Sequence, residues 1–338
     1  MTDTGPLNRW PSRVAVLGAG TMGAGFAHVF GLAGIPVAIV DASAQLAERS
    51  RELLLARARA YEDGGLFPVG AVGALEGTVR AATSVEDAVE GADYVLEAIT
   101  EDPAAKRKIY AEVDAAAGDE AIVASNTSAI PIAQLASHVR RPERFLGTHW
   151  FNPPQFIPCV EIIPGPVTDL SVVERVRLLH ARLGKQPVVV GDGPGFVANR
   201  IQFAMFKEAV SVVADGLASA EAVDEVVRGS FGFRLPVFGP FAISDMAGLD
   251  VYAGAYEALE AGLGKRLACP PEIQALVAAG RTGAKAGGGF LEWPKERRES
   301  VLAGRDASYA ALSALLPEGG GQPAPAAASS ASSLRRTI

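Results

Sequence analysis

The stretch RVAVLGAGTMGAGFAHVFGLAGIPVAIVD, residues 13–41, decides the fold. Residues 13–17, RVAVL, form a short β-branched and apolar run that stops at glycine. From Met22 onward the apolar residues recur at helical spacing, and Ile35 to Val40 is again strand-like and ends on Asp41. Strand, tight turn, helix and strand in about thirty residues are the dimensions of a βαβ unit.

The glycines of this unit stand where such a fold meets a dinucleotide. Gly18 permits the tight turn after the strand, Gly20 lets backbone approach a pyrophosphate, and Gly23 permits close packing of helix on strand. Thr21 and Met22 open the helix, whose N-terminal amides favour anionic phosphate. Asp41 is placed to accept hydrogen bonds from the adenosine ribose hydroxyls, and its charge repels a 2′-phosphate, so NAD is expected rather than NADP. FAD is the competing dinucleotide, and a compact βα turn without ligand is the bland alternative.

Outward from this unit, residues 44–62 read as a helix and the glycine-rich turns after it as part of an insertion beside the sheet. Strands are predicted at ADYVLEAI, EAIVASN, RFLGTH, CVEII and QPVVVG, with helical patterns at 103–117 and 130–138. This alternation predicts an α/β fold, a Rossmann-type doubly wound and mostly parallel sheet. Beyond Gly193-Pro194-Gly195 only helical patterns remain. The expected organisation is a flexible segment 1–11, a nucleotide-binding domain 12–193, an all-helical substrate and dimerisation domain 194–316, and a Gly/Pro/Ala/Ser-rich disordered tail 317–338.

Composition narrows the function classes. The 338 residues are 49% hydrophobic, enough to bury the cores of two domains. Two distant cysteines, Cys159 and Cys269, make neither a disulfide framework nor a metal-ligand pair, so a reducing, cytoplasmic compartment is expected and no metal. The N-terminus has no secretory apolar core, and no run reaches membrane-spanning length. A net charge of −7 argues against nucleic acid as a partner.

Residues able to move protons gather between Ser125 and Glu161. His149 falls at the C-terminal end of a predicted strand, the edge where α/β sheets bind ligands, and Glu161 lies in the next predicted strand. Oxidation of an alcohol by NAD needs a base for the hydroxyl proton, which imidazole supplies near neutral pH, and a carboxylate on the far ring nitrogen fixes the tautomer. Ser128, His149 and Glu161 also suggest a hydrolase triad, but no G-x-S-x-G elbow accompanies them.

Taken together GAGTMG with Asp41, EAITEDPAAKRKIY (97–110), SNTSAI (125–130), GTHWFNPP (147–154) with CVEII, GPGFVANRI (193–201) and GAKAGGGFLEW (283–293) resemble the 3-hydroxyacyl-CoA dehydrogenase family over nearly the whole chain. The resemblance implies a Rossmann domain followed by a helical dimerisation domain, a homodimer, and a place in fatty-acid metabolism. It implies that His149 is the general base with Glu161 as its partner, that Ser128 and Asn199 hydrogen-bond the reacting substrate oxygen, that Glu101 and Lys106 flank the nicotinamide ribose, and that Asn126 is a further cofactor contact.

Three substrates remain open: a short-chain L-3-hydroxyacyl-CoA, the same acyl group on a carrier protein, and a free 3-hydroxy acid. Fatty-acid members of the family carry lysines toward the CoA phosphates, whereas residues 44–84 contain none. Arg49, Arg51, Arg57 and Arg59 are phosphate-binding candidates or a solvated helix face. NPPQFIPCVE and GFRLPVFGP resemble the lambda-crystallin, L-gulonate and carnitine dehydrogenase branch, in which Arg234 is placed to pair with a free carboxylate or to make a structural ion pair. A crystallin-like NAD-binding protein without turnover is the non-enzymatic alternative.

Overall fold

The computed structural model describes residues 10–315. Most of the segment 1–11 and the tail 317–338 lie outside the described residues. Trp10 and Pro11 are described, with Pro11 buried and the Arg182 guanidinium 4.4 Å over the Trp10 ring. Two compact units divide after Met205.

The first unit is a Rossmann sheet of eight strands. They are β1 (Val14–Leu17), β2 (Val37–Val40), β3 (Val79–Ala81), β4 (Tyr94–Glu97), β5 (Ile122–Ser125), β6 (Phe145–Trp150), β7 (Cys159–Pro164) and β8 (Gln186–Val189). Their order is β3-β2-β1-β4-β5-β6-β7-β8, and every pair is parallel except β6 with β7. Helices α1 (Thr21–Leu32), α2 (Ala44–Asp63), α3 (Ala71–Thr78), α4 (Val85–Val89), α5 (Pro103–Ala116), α6 (Ile132–Ala136) and α7 (Leu170–Arg182) connect them.

Strand β1 is apolar throughout because it is covered on both faces. Val14 and Val16 join Phe26, Phe30 and Trp150 in one core, while Ala15 and Leu17 join Val95, Tyr110 and Phe145 in the other. The sequence reading places the part after Asp41 beside the sheet. Helices α2 and α3 do pack there, but the chain then returns as β3, the edge strand beside β2. Only three residues long and centred on Arg80, β3 lacks an apolar run to announce it; Arg80 is held outside the core by an ion pair with Asp87 at 2.8 Å.

On the α7 side of β6, His180 is fully buried against the rings of Trp150 and Tyr94, with centroids 5.1 and 6.2 Å away. Its Nδ1 lies 2.7 Å from the Val176 carbonyl, and Nε2 has no hydrogen-bond partner among the described residues, an arrangement that fits the neutral ring with the proton on Nδ1. Burial holds its pKa down to about 4 from an ordinary 6.5. The unfolded chain therefore binds the proton first, and stability falls as pH drops from about 6.5 to about 4, by up to ~3 kcal/mol from this group. Urea unfolding midpoints between pH 7 and 4.5 measure the effect. His180→Phe should flatten the slope in that window, and an unchanged slope would remove His180 from the acid response.

The second unit is helical: the C-terminal part of α8 (Ala198–Ala214), then α9 (Ala220–Gly229), α10 (Phe231–Arg234), α11 (Pro240–Ala247), α12 (Leu249–Leu263), α13 (Pro271–Ala278) and α14 (Lys295–Ser313). The GAKAGGGFLEW stretch is structural here. The buried Asp245 carboxylate accepts from Phe290 N, Leu291 N and Trp293 Nε1 at 3.1, 2.8 and 2.9 Å. Gly283, at φ +108°, lets the backbone pass against Asp245 where a Cβ would collide with its carbonyl.

Candidate active site

Two of the three loop glycines are required by the protein itself. Gly18 has φ +94°, and a Cβ there would lie 2.5 Å from the Ala98 carbonyl oxygen; a Cβ at Gly23 would run into the carbonyl of Gly18. A Cβ at Gly20 would meet nothing within 4 Å. No packing explains that glycine, and the space it leaves open belongs to a cleft of about 820 Å³ lined by Gly18, Gly20, Thr21, Met22 and Asp41. Gly20 is also the N-cap of α1, and no side chain caps it, so the first-turn amides are available to a pyrophosphate.

Asp41 directly follows β2. Its Oδ2 accepts from Ala19 N at 2.9 Å and its Oδ1 from Ala42 N at 2.7 Å, which hold the carboxylate at the strand end where ribose hydroxyls are read. Thr83, Ser84 and Val85 line the same cleft. Sequence reading missed them because they follow the unrecognised β3. The available signal was the helix-start pattern Ser84-x-x-Asp87, in which Ser84 Oγ accepts from Asp87 N at 3.1 Å.

At the other end of the sheet, register brings the proposed base and its partner together. In the antiparallel β6–β7 pair His149 stands directly opposite Glu161, and both side chains point to the face opposite Thr148 and Trp150. Both are buried, with His149 Nδ1 and Glu161 Oε2 2.7 Å apart. The other carboxylate oxygen accepts from Val197 N and Ala198 N, at 3.1 and 2.9 Å, at the start of α8. Burial pushes the Glu161 carboxyl up, but these hydrogen bonds and the facing imidazole outweigh it and hold the group below the usual carboxylate range.

The turn that delivers those amides is strained. Phe196 has φ +48°, a left-handed conformation uncommon for a residue with a Cβ, and its buried ring packs 5.7 Å from His149. Phe151 covers the imidazole from another direction at 4.5 Å. With Nδ1 occupied and the ring enclosed by aromatics, Nε2 is the nitrogen left to exchange a proton with a ligand.

A second polar network supports Ser128. Glu101 Oε1 accepts from Thr127 Oγ1 at 2.5 Å and from Ser128 N at 2.8 Å, while Lys106 Nζ lies 3.1 Å from Glu101 Oε2. Burial raises the Glu101 pKa, but Thr127 and Lys106 bring the net shift below the ordinary value. Asn199 Nδ2 donates to the Ser128 carbonyl at 2.9 Å, and Asn126 Oδ1 accepts from Trp150 N at 2.9 Å. The structure thus joins Glu101, Lys106, Ser128 and Asn199 in one network, and Asn126 ties β5 to β6. Arg234 belongs to the second unit, at the end of α10.

Sequence reading also missed Glu97. Completely buried at the end of β4, it accepts from Lys106 Nζ at 2.6 Å, Ile99 N at 2.9 Å, and Tyr110 Oη and Ser125 Oγ at 2.7 Å each. Every acceptor position of the carboxylate is used, as a buried charge requires. Lys106 is therefore anchored from below before it reaches Glu101. The signal in the sequence was a lone acidic residue inside an apolar strand, with Lys106 and Tyr110 following at helical spacing.

Among the described residues no helix is long and apolar enough to cross a membrane, and no group of three acidic, His or Cys side chains converges for a metal.

Comparison with known proteins agrees with this geometry. Residues 13–193 match the 3-hydroxyacyl-CoA dehydrogenase NAD-binding domain, and residues 195–293 match the C-terminal domain of the same family. The chain is 37% identical over 305 residues, 90% of its length and 97% of the relative's, to a 5-formyl-3-hydroxy-2-methylpyridine 4-carboxylate 5-dehydrogenase of Mesorhizobium japonicum. It is 35% identical to a probable 3-hydroxybutyryl-CoA dehydrogenase of Bacillus subtilis, covering 84% of this chain and 98% of that one. A solved 3-hydroxyacyl-CoA dehydrogenase of Archaeoglobus fulgidus superposes with TM-score 0.72 at 30% identity, over 89% of this chain and 99% of that one. With an NAD-type loop, a buried His–Glu pair and both family domains in order, the chain belongs to the 3-hydroxyacyl-CoA dehydrogenase family, NAD-dependent oxidoreductases that act on CH–OH groups.

Proposed function

We propose that the protein oxidises the 3-hydroxyl of a short-chain L-3-hydroxyacyl thioester, of the 3-hydroxybutyryl-CoA kind, to the 3-ketoacyl form. The observation that carries this reading is the 2.7 Å contact between His149 Nδ1 and Glu161 Oε2. It leaves Nε2 as the base that takes the hydroxyl proton, with the charge that develops on the ring met by an ionised carboxylate. Ser128 Oγ and the second N–H of Asn199 are the donors assigned to the reacting oxygen as it becomes a carbonyl. NAD, when bound on the α1 loop with Asp41 toward its adenosine ribose and Glu101 and Lys106 toward the nicotinamide side, supplies the acceptor for the hydride that leaves carbon 3. Assembly is proposed to be a homodimer, because α8 exposes Phe203, Phe206, Val210 and Val213 along its length.

A second reading, oxidation of a free hydroxy acid, is favoured by a specific observation on α2. Arg51, one of four arginines available in place of CoA-binding lysines, spends its Nε on the Val79 carbonyl at 2.7 Å and pins α2 to β3. The Mesorhizobium japonicum relative is, by its name, a dehydrogenase of a pyridine carboxylate. Initial rates of NADH formation with 3-hydroxybutyryl-CoA, L-gulonate and carnitine decide between the two. The first reading expects the thioester to lead in kcat/KM by at least about tenfold, equivalent to ~1.4 kcal/mol of transition-state binding; either free acid in the lead would reverse the assignment.

A further inference from the structure

The helix α14 lies beyond the residues that match the family's C-terminal domain, which end at 293. It does not stand free. Tyr309 packs its ring 6.0 Å from both Phe233 and Phe238, on either side of Arg234, and α10, α11 and α14 together enclose a cleft of about 280 Å³. Ile243 and Met246 of α11 and the Tyr309 ring give it apolar walls, and its charges are Arg234, Arg305 and Asp306.

Those charges do not cancel. Arg305 Nε is paired with Asp306 Oδ1 at 2.8 Å. The half-buried Arg234 guanidinium has no hydrogen-bond or ion-pair partner among the described residues, although its backbone carbonyl accepts from Val237 N and Phe238 N, which fix its position. One guanidinium is thus left uncompensated beside apolar walls, where an anion is favoured. A planar fork of N–H donors fits a carboxylate bidentately, and the nearby Asp306 charge disfavours a dianion such as phosphate.

We propose that this cleft of the second unit binds the carboxylate of a small monoanionic organic acid through Arg234, and that α14, which carries Arg305, Asp306 and Tyr309, completes the site. The site stands independently of which hydroxy compound is oxidised. The acid is either the substrate's own carboxylate or a separate small molecule, and the two sources share this recognition chemistry.

Calorimetric titration of the full-length protein with isonicotinate, butyrate and inorganic phosphate tests it. Isonicotinate or butyrate should bind, and phosphate should bind more weakly. Arg234→Ala should weaken carboxylate binding at least about tenfold, the effect of losing a charge-assisted fork, with Arg234→Lys intermediate. Asp306→Asn should improve phosphate relative to carboxylate. Arg234 has no partner to lose, so Arg234→Ala should retain the wild-type melting temperature; should it not, the Lys variant and Asp306→Asn carry the test. With the best hydroxy substrate of the NADH assay, competitive inhibition by the bound acid identifies the substrate's own carboxylate as the source, and non-competitive inhibition a separate acid; either supports the site. No binding to the wild type, equal binding of phosphate, or unchanged carboxylate affinity in Arg234→Ala overturns the proposal.

Discussion

Replacing His149 by glutamine is expected to lower kcat by about 10²- to 10⁴-fold while NADH affinity, read by fluorescence titration, stays within about twofold. Glutamine is close to the imidazole in size, so Phe151 and Phe196 keep a filled pocket between them. An amide cannot accept the hydroxyl proton. The cleft lined by the glycine loop and Asp41 does not include His149, so cofactor affinity should be spared. A His149→Gln enzyme with turnover close to wild type would remove His149 from the mechanism, and one that had lost NADH binding would show that the residue holds the fold rather than the proton.

Glu161→Gln is expected to cost a comparable 10²- to 10⁴-fold in kcat, about 3–5 kcal/mol of transition-state stabilisation. The substitution keeps shape but removes the charge that faces the imidazole, which in the proposed mechanism takes the proton. It also disturbs the acceptor: Oε1 receives two backbone N–H groups from the start of α8 while Oε2 faces His149, and an amide placed there must turn its NH₂ toward donors on one side or the other. The two changes should be strongly non-additive, because in the proposed mechanism Glu161 acts through His149. The double variant is expected to be no slower than the slower single variant. Effects that multiply in the double variant would mean that Glu161 serves the reaction by another route.

Much of the fold was legible in residue order. The strand-glycine-helix pattern of residues 13–41 named the βαβ unit, and the structure has β1, α1 and β2 within it. The alternation that followed announced a doubly wound sheet. What escaped was of two kinds. Strand β3 was too short and too polar at its centre to show a period, because an edge strand is specified by its neighbour more than by its own residues. Glu97 was hidden because its meaning depends on Lys106, Tyr110 and Ser125, which only the packing of α5 and β5 against β4 brings within 3 Å.

The sequence by itself determined the βαβ unit and the NAD cofactor, since these follow from local periodicity, steric tolerance at glycine and the charge of Asp41, and it offered His149 and Glu161 as candidates from their residue types and strand positions. Only the tertiary structure supplied the atoms behind the roles expected of the three glycines: the Ala98 carbonyl beside Gly18, the Gly18 carbonyl beside Gly23, and open space at Gly20. Tertiary structure alone also set His149 opposite Glu161. A single antiparallel pairing in an otherwise parallel sheet places residues twelve positions apart face to face, and register is a property of two strands together.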